Sequence, residues 1–348
     1  MKNVLENASQ SHIFNVPDSL GIFARQNKRT LEGLVIESAA ETTVNAQALS
    51  RSFGAHTAVR AIDLTLKRGE VLGLLGPNGA GKTTIMQMLT GNLSPSAGSV
   101  TICGIDLIDD PVAAKRHIGY LPEHPPLYRE LTVDEFLRLA AKLHCIARAE
   151  LQAAVQSVKE RCGLLECGAR LLGALSKGFQ QRVGIAQAII HGPDIVILDE
   201  PTVGLDPLQI REIRALIREL REGRSVILST HILPEVETVC DRVEIIHQGR
   251  FVYSDTIAAL DRFTRGLALQ IAFRRPPDVA RLRELPGVTS AERISENAFR
   301  LSRSPEHDPT GAIVARAVKD DWGLYELGPA HSRLEDVFMQ LTRQEPQA

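Results

Sequence analysis

The chain has 348 residues, 44% hydrophobic and 24% charged, which suits a soluble globular protein of two to three domains with a real core. Its formal net charge of −2 argues against wholesale binding to nucleic acid or to an acidic membrane surface. No apolar run approaches the length needed to cross a bilayer, and the N-terminus lacks a signal-peptide apolar stretch, so a cytosolic protein is expected.

Residues 1–44 are polar, with only short apolar patches, and read as a disordered or loosely docked extension. From Val44 the pattern changes. Strand-like runs fit 44–49, the alternation Ile62, Leu64, Leu66, and the continuous apolar runs Val71–Leu75, Ile195–Leu198 and Ser225–Leu228. Helical patterns separate them, which predicts an α/β domain with a parallel sheet covered on both faces over 45–265. Within it, about 125–190 is mostly helical. Thr132 and Glu135 form a capping box, and Val133, Phe136, Leu137 and Ala140 share one helix face.

A separate unit is expected over 266–348. Leu267, Leu269, Ile271 and Phe273 alternate as a strand. A helix fits 277–285, strands fit 288–294 and 298–302, and a helix starts at Asp308-Pro309. A strand fits 322–327, and a last helix starts at Ser332 with Glu335 completing a capping box. This β-α-β-β-α-β order predicts a small α+β, ferredoxin-like domain. The cysteines Cys103, Cys145, Cys162, Cys167 and Cys240 show no CxxC spacing and are expected to be reduced thiols rather than zinc ligands.

Gly76-Pro77-Asn78-Gly79-Ala80-Gly81-Lys82-Thr83 fits G-x-x-x-x-G-K-[ST], after a strand-like run and before a helical pattern. Glycines let backbone N–H groups turn inward around phosphate oxygens. Lys82 reaches the β- and γ-phosphates, and Thr83 supplies a hydroxyl to Mg²⁺. A chance glycine-rich turn would lack this strand-loop-helix context. The run Ile195–Leu198 ends in Asp199 and Glu200. Asp199 is placed to hold Mg²⁺, directly or through water, and Glu200 to accept a proton from the attacking water or to orient it. Such carboxylates after a strand are often mere caps; the phosphate loop is what gives them weight. His231 follows the strand 225–228 at its carboxyl end, where ligands bind in open α/β sheets.

The stretch LSKGFQQR at 175–182 is a second anion-binding pattern, a helix start with Ser176, Gly178 and a lysine. With the phosphate loop at 76–84, ILDEPTVGLDP at 197–207 and STH at 229–231, it stands in the order and spacing of ABC-type ATPase domains, and the chain from about 46 to 265 resembles that family. The resemblance implies ATP and Mg²⁺ as ligands. It extends the phosphate loop to Thr84, assigns Phe53 to adenine stacking and Glu123 to the position, usually glutamine, that links Mg²⁺ to the transport partner. It puts Asp206 in the loop that crosses a dimer interface and makes His231 the switch histidine. It also implies a head-to-tail dimer with a second copy of this chain, in which Ser176 and Gly178 face ATP held by the other protomer.

Lys177 and Phe179 depart from the usual LSGGQ, and Glu123 departs from the usual glutamine. With LEDVF at 334–338, the pattern is similar to ATPase subunits of ABC-2-type exporters. That implies a separate transmembrane permease as partner, no nucleic acid, and a place on the inner face of the cell membrane. A soluble ABC ATPase acting on ribosomes or DNA is the alternative; such proteins resemble tandem ATPase domains or domains split by a long coiled coil, and neither pattern occurs here. A non-catalytic regulatory subunit would be expected to lack Glu200 or His231.

Overall fold

A computed structural model describes residues 42–264, 268–304 and 307–330. Three sheets organise them. The largest has six strands in the order β10-β9-β3-β8-β7-β6, with β3 Val71–Leu75, β6 Ile118–Leu121, β7 Ile195–Asp199, β8 Ser225–Thr230, β9 Arg242–His247 and β10 Arg250–Thr256. Its pairings are parallel except that β10 runs antiparallel to β9 at one edge.

The sheet is covered on both faces, as continuous apolar strands require. In β7, Ile195 and Ile197 point into one core and Val196 and Leu198 into the other, because successive strand side chains alternate. One core packs the helices Val133–Leu143, Lys177–Ile189 and Pro207–Leu220. The other packs the helix Lys82–Leu89 and a second sheet.

That second sheet corrects the sequence reading. The runs around 44–49 and 62–66 do not join the parallel sheet. They are two twelve-residue strands, β1 Thr42–Phe53 and β2 His56–Lys67, paired antiparallel and joined by β4 Ala97–Ile102 and β5 Ile105–Asp106 in the order β2-β1-β4-β5. A two-residue link between strands allows only a hairpin; a parallel pair needs a long crossover. The strand also begins at Thr42, inside the stretch read as an extension. The buried Thr43 hydroxyl contacts Leu66 O at 3.1 Å and Ser225 Oγ at 3.0 Å, which ties it to both sheets.

The helical stretch contains Val133–Leu143, Leu151–Arg161 and Lys177–Ile189. Thr132 and Glu135 form the reciprocal capping box, and Val133, Phe136, Leu137 and Ala140 are buried.

The third sheet has the order β12-β13-β11-β14, all antiparallel, built from β11 Ala268–Phe273, β12 Val288–Arg293, β13 Ala298–Arg303 and β14 Leu324–Pro329. Helices Val279–Arg283 and Thr310–Lys319 lie between its strands in sequence, which is a β-α-β-β-α-β order. β14 starts two residues later than expected, and the second helix begins at Thr310, with Asp308 accepting the Thr310 N–H at 3.0 Å. Phe273, Phe299 and Trp322 pack together at its centre. The expected helix from Ser332 and the LEDVF stretch lie outside the described residues.

Candidate functional site: a phosphate loop facing two carboxylates

Adjacent parallel strands bring together residues that are far apart in sequence. β8 lies between β3 and β7, with Thr230 opposite Leu75 and Ser229 opposite Asp199. The loops leaving these three strands therefore meet at one end of the sheet.

The first is the phosphate loop. Gly81 adopts φ of 115° at the helix start, and a Cβ there would lie 2.8 Å from Ala58 O, so only glycine fits both the backbone and the space. Helix Lys82–Leu89 then begins without a side-chain cap, which leaves its first N–H groups for another acceptor. Lys82 is 6% exposed. Its ammonium donates to Gly76 O at 2.7 Å and Pro77 O at 3.2 Å, and lies 3.2 Å from Glu200 Oε1.

The second loop carries Asp199 and Glu200, both buried. Glu200 has φ of 48°, a left-handed backbone that costs a non-glycine residue about 1–2 kcal/mol. Ser229 holds the turn. Its hydroxyl donates to Asp199 Oδ1 at 2.5 Å and accepts the Glu200 N–H at 2.9 Å. The other Asp199 oxygen is buried with no protein partner, and the Asp199 charge together with burial pushes the nearby Tyr120 hydroxyl well above its usual range, burial being the larger cause. The third loop brings His231, whose Nδ1 lies 3.0 Å from Glu200 Oε2.

Lys82, Glu200 and His231 line a cleft of ≈ 570 Å³ with Phe53, His56, Asn78, Thr83, Thr84 and Glu123, whereas Asp199 and Ser229 are fully buried and do not line it. Phe53 is exposed there, with the Arg51 guanidinium 4.7 Å from its ring centroid. Donor types suit a hard divalent cation: the Thr83 hydroxyl, the Glu123 carboxylate and the partnerless Asp199 oxygen.

Ser176, Gly178 and Asp206 do not line this cleft. Ser176 caps its own helix by accepting the Phe179 N–H at 3.5 Å, and Asp206 caps the helix Pro207–Leu220 by accepting the Gln209 N–H at 2.9 Å. Gly178 is buried, and a Cβ on it would meet the Gln209 carboxamide carbon at 2.5 Å. Lys177 lies against Gly204, in the turn that precedes Asp206. The LSKGFQQR helix start and the Asp206 loop thus form one surface, separate from the phosphate loop of the same chain.

Sequence reasoning missed Ser229, Gln209, His56 and Val203. Ser229 carried a signal, since it stands at the end of an apolar strand beside His231. Val203 lies within the stretch 197–207 but has no polar group to single it out, and Gln209 and His56 carried no signal. At the opposite end of the strands, donor atoms of Cys103, His117 and Asp194 lie within 4.8 Å of one another. There Asp194 is already bound by His117 Nδ1 at 2.7 Å and Arg68 at 3.1 Å, and burial, with the Asp194 charge, pushes the Cys103 thiol up.

A glycine-rich loop with a buried lysine, two strand-end carboxylates and a histidine, on a mainly parallel sheet, define a P-loop ATPase. The ABC transporter family model matches residues 59–203. The chain is 39% identical over 218 residues to the ABC transporter ATP-binding protein NatA of Bacillus subtilis (strain 168), covering 62% of this chain and 89% of that protein. It is 31% identical over 305 residues to the linearmycin resistance ATP-binding protein LnrL of the same organism, covering 86% of this chain and 98% of that one. Among solved structures, the ATP-binding subunit of an ABC transporter superposes with a TM-score of 0.59 at 34% identity, over 64% of this chain and 93% of that chain. The chain belongs to the ABC transporter ATP-binding proteins and is an ABC-type ATPase.

Proposed function

We propose that this chain hydrolyses ATP to drive a separate transmembrane permease of an ABC-2-type export system. The observation that carries the hydrolytic part is the convergence of Lys82, Glu200 and His231 in one cleft behind a glycine loop. Export is supported by the likeness to the linearmycin resistance protein, which runs through most of the chain rather than the ATPase domain alone.

ATP enters with adenine against Phe53 and its phosphates over the loop Gly76–Gly81. Its negative charge competes for the Lys82 ammonium, which leaves Glu200 and binds the β- and γ-phosphate oxygens. The freed Glu200 carboxylate then accepts a proton from the attacking water as its oxygen bonds to the γ-phosphorus and the bond to the ADP oxygen breaks. His231, held by the other Glu200 oxygen, faces the same phosphate. Thr83, Asp199 and Glu123 would hold Mg²⁺, which when bound neutralises phosphate charge.

Ser176, Gly178 and Asp206 serve a second copy of this chain. Their separation from their own phosphate loop supports a head-to-tail dimer in which each copy completes the other's site. No helix among the described residues is long and apolar enough to cross a membrane. On this reading the permease supplies the membrane contact, and this chain docks on its cytoplasmic side. A second cleft of ≈ 330 Å³, lined by Lys115, Tyr120, Pro122, His144 and His191, adjoins the segment that carries Glu123 and offers a docking place.

The test is co-purification from native membranes. An integral permease should accompany the tagged chain, and reconstituting the pair in vesicles should raise its ATP hydrolysis. Association with ribosomes or DNA, with no membrane protein, would overturn the transport reading.

A further inference from the structure

Glu235 is a buried carboxylate that the hydrolytic scheme does not use. It sits in helix Leu233–Val239, 3% exposed, between the apolar buried residues Leu233, Val236 and Val239. Placing a charge on such a face is costly unless hydrogen bonds compensate. Two do. Glu235 Oε1 accepts the Thr202 hydroxyl at 2.6 Å, and Oε2 accepts the Thr230 hydroxyl at 2.7 Å. The Thr230 hydroxyl in turn accepts the Ile232 N–H at 3.1 Å, which fixes its direction. Arg214, from the helix that follows Asp206, supplies a positive charge 3.8 Å from Oε1.

The positions of the two threonines matter. Thr202 stands two residues after Glu200, and Thr230 one residue before His231. One carboxylate therefore joins the turn that carries Glu200 to the turn that carries His231. Those two side chains meet at 3.0 Å, and Glu200 is held in a left-handed backbone that relaxes unless its surroundings restrain it.

We propose that Glu235 is a positioning residue for hydrolysis: through Thr202 and Thr230 it sets the spacing of Glu200 and His231. The proposal rests on the hydrolytic reading above. It predicts a change in turnover rather than in ATP affinity, because Glu235 has no hydrogen bond to the phosphate loop or to Lys82. Charge-assisted hydrogen bonds in a buried site are strong, so losing two of them should be visible in the rate.

The experiment measures kcat and the ATP Kd for wild type, Glu235→Ala, Glu235→Gln, His231→Ala and the Glu235→Ala/His231→Ala pair. Glu235→Ala should lower kcat about tenfold or more and leave Kd within about twofold. Glu235→Gln keeps the length and one acceptor, so it should recover most of the rate. In the His231→Ala background, Glu235→Ala should add little, since the relationship it maintains is already gone. If Glu235→Ala does not fold, Thr202→Val with Thr230→Val removes the same two hydrogen bonds at constant shape and should give the same loss of kcat. Unchanged kcat, a parallel loss of kcat and affinity, no recovery with glutamine, or fully multiplicative effects in the double variant would each overturn the role. A wild-type chain that binds ATP and never hydrolyses it, with or without its permease, would instead overturn the hydrolytic reading, and this role with it.

Discussion

Glu200 faces a cation on one side and a histidine on the other. Its Oε1 lies 3.2 Å from Lys82 Nζ, and its Oε2 lies 3.0 Å from His231 Nδ1. In the proposed mechanism this engages the base with the ammonium that ATP recruits, so nucleotide binding and release of the base would be the same event.

Lys82→Ala should weaken ATP binding at least about tenfold, since hydrogen bonds to charged groups contribute about 1.5–3 kcal/mol. Thermal shift with MgATP reads this directly, because a ligand that binds only the native state raises the melting temperature. A folded variant with an undiminished shift and undiminished hydrolysis would contradict the phosphate assignment.

Glu200→Gln keeps size and shape but removes the base. Hydrolysis should fall by about 10²–10⁴-fold while ATP still binds. Trapped ATP should then hold two copies together, giving an ATP-dependent dimer by light scattering. Hydrolysis at the wild-type rate would remove Glu200 from the mechanism.

The shared site is tested by mixing two inactive variants, and the contact between Gly178 and Gln209 decides which ones. Gly178→Asp would clash within its own chain, so its failure would say nothing about a partner. Ser176→Asp is the better choice. Aspartate caps a helix as well as serine does, yet it places a negative charge where a γ-phosphate must arrive. Mixed with Lys82→Ala, it forms one site with both parts intact, and some hydrolysis should return. Absence of rescue, together with absence of ATP-dependent crosslinking between cysteines at Ser176 and Asn78 of different copies, would rule out a head-to-tail arrangement.

The pH response has a source away from the nucleotide. The rings of His144 and His191 stack with centroids 3.7 Å apart, and His191 Nε2 bonds Ile118 O at 3.1 Å. Burial, then the His144 charge, lowers the His191 pKa from 6.5 to about 4, against the smaller opposing effect of the Ile118 bond. The unfolded chain takes up this proton near 6.5 and the folded chain only near 4, so the unfolded state binds more protons between them. Stability should therefore fall as pH drops through that window. Melting temperatures from pH 7 down to pH 4.5 should decline less steeply in His191→Gln, and equal slopes would refute the assignment.

The parts of this protein that a reader of the bare chain finds are those whose chemistry is local. Gly76 to Thr83 act as one backbone loop, the Thr132–Glu135 capping box spans four residues, and the buried strands announce themselves as apolar runs. Sequence alone therefore determined a phosphate loop, a pair of strand-end carboxylates and a helix-start motif set apart from both. Tertiary structure decided what these groups do to one another. Ser229 reaches Asp199 across 30 positions, Glu235 reaches Thr202 across 33, and Lys82 meets Glu200 because β8 separates β3 from β7. It also sent the first two strands into an antiparallel sheet of their own, where the alternation of Ile62, Leu64 and Leu66 buries one face only, unlike the continuous runs of the parallel strands. Side-chain period reports which face of a strand is buried; it carries no record of the neighbour on the other side of the hydrogen bonds, and that neighbour is chosen by the packing of the whole domain.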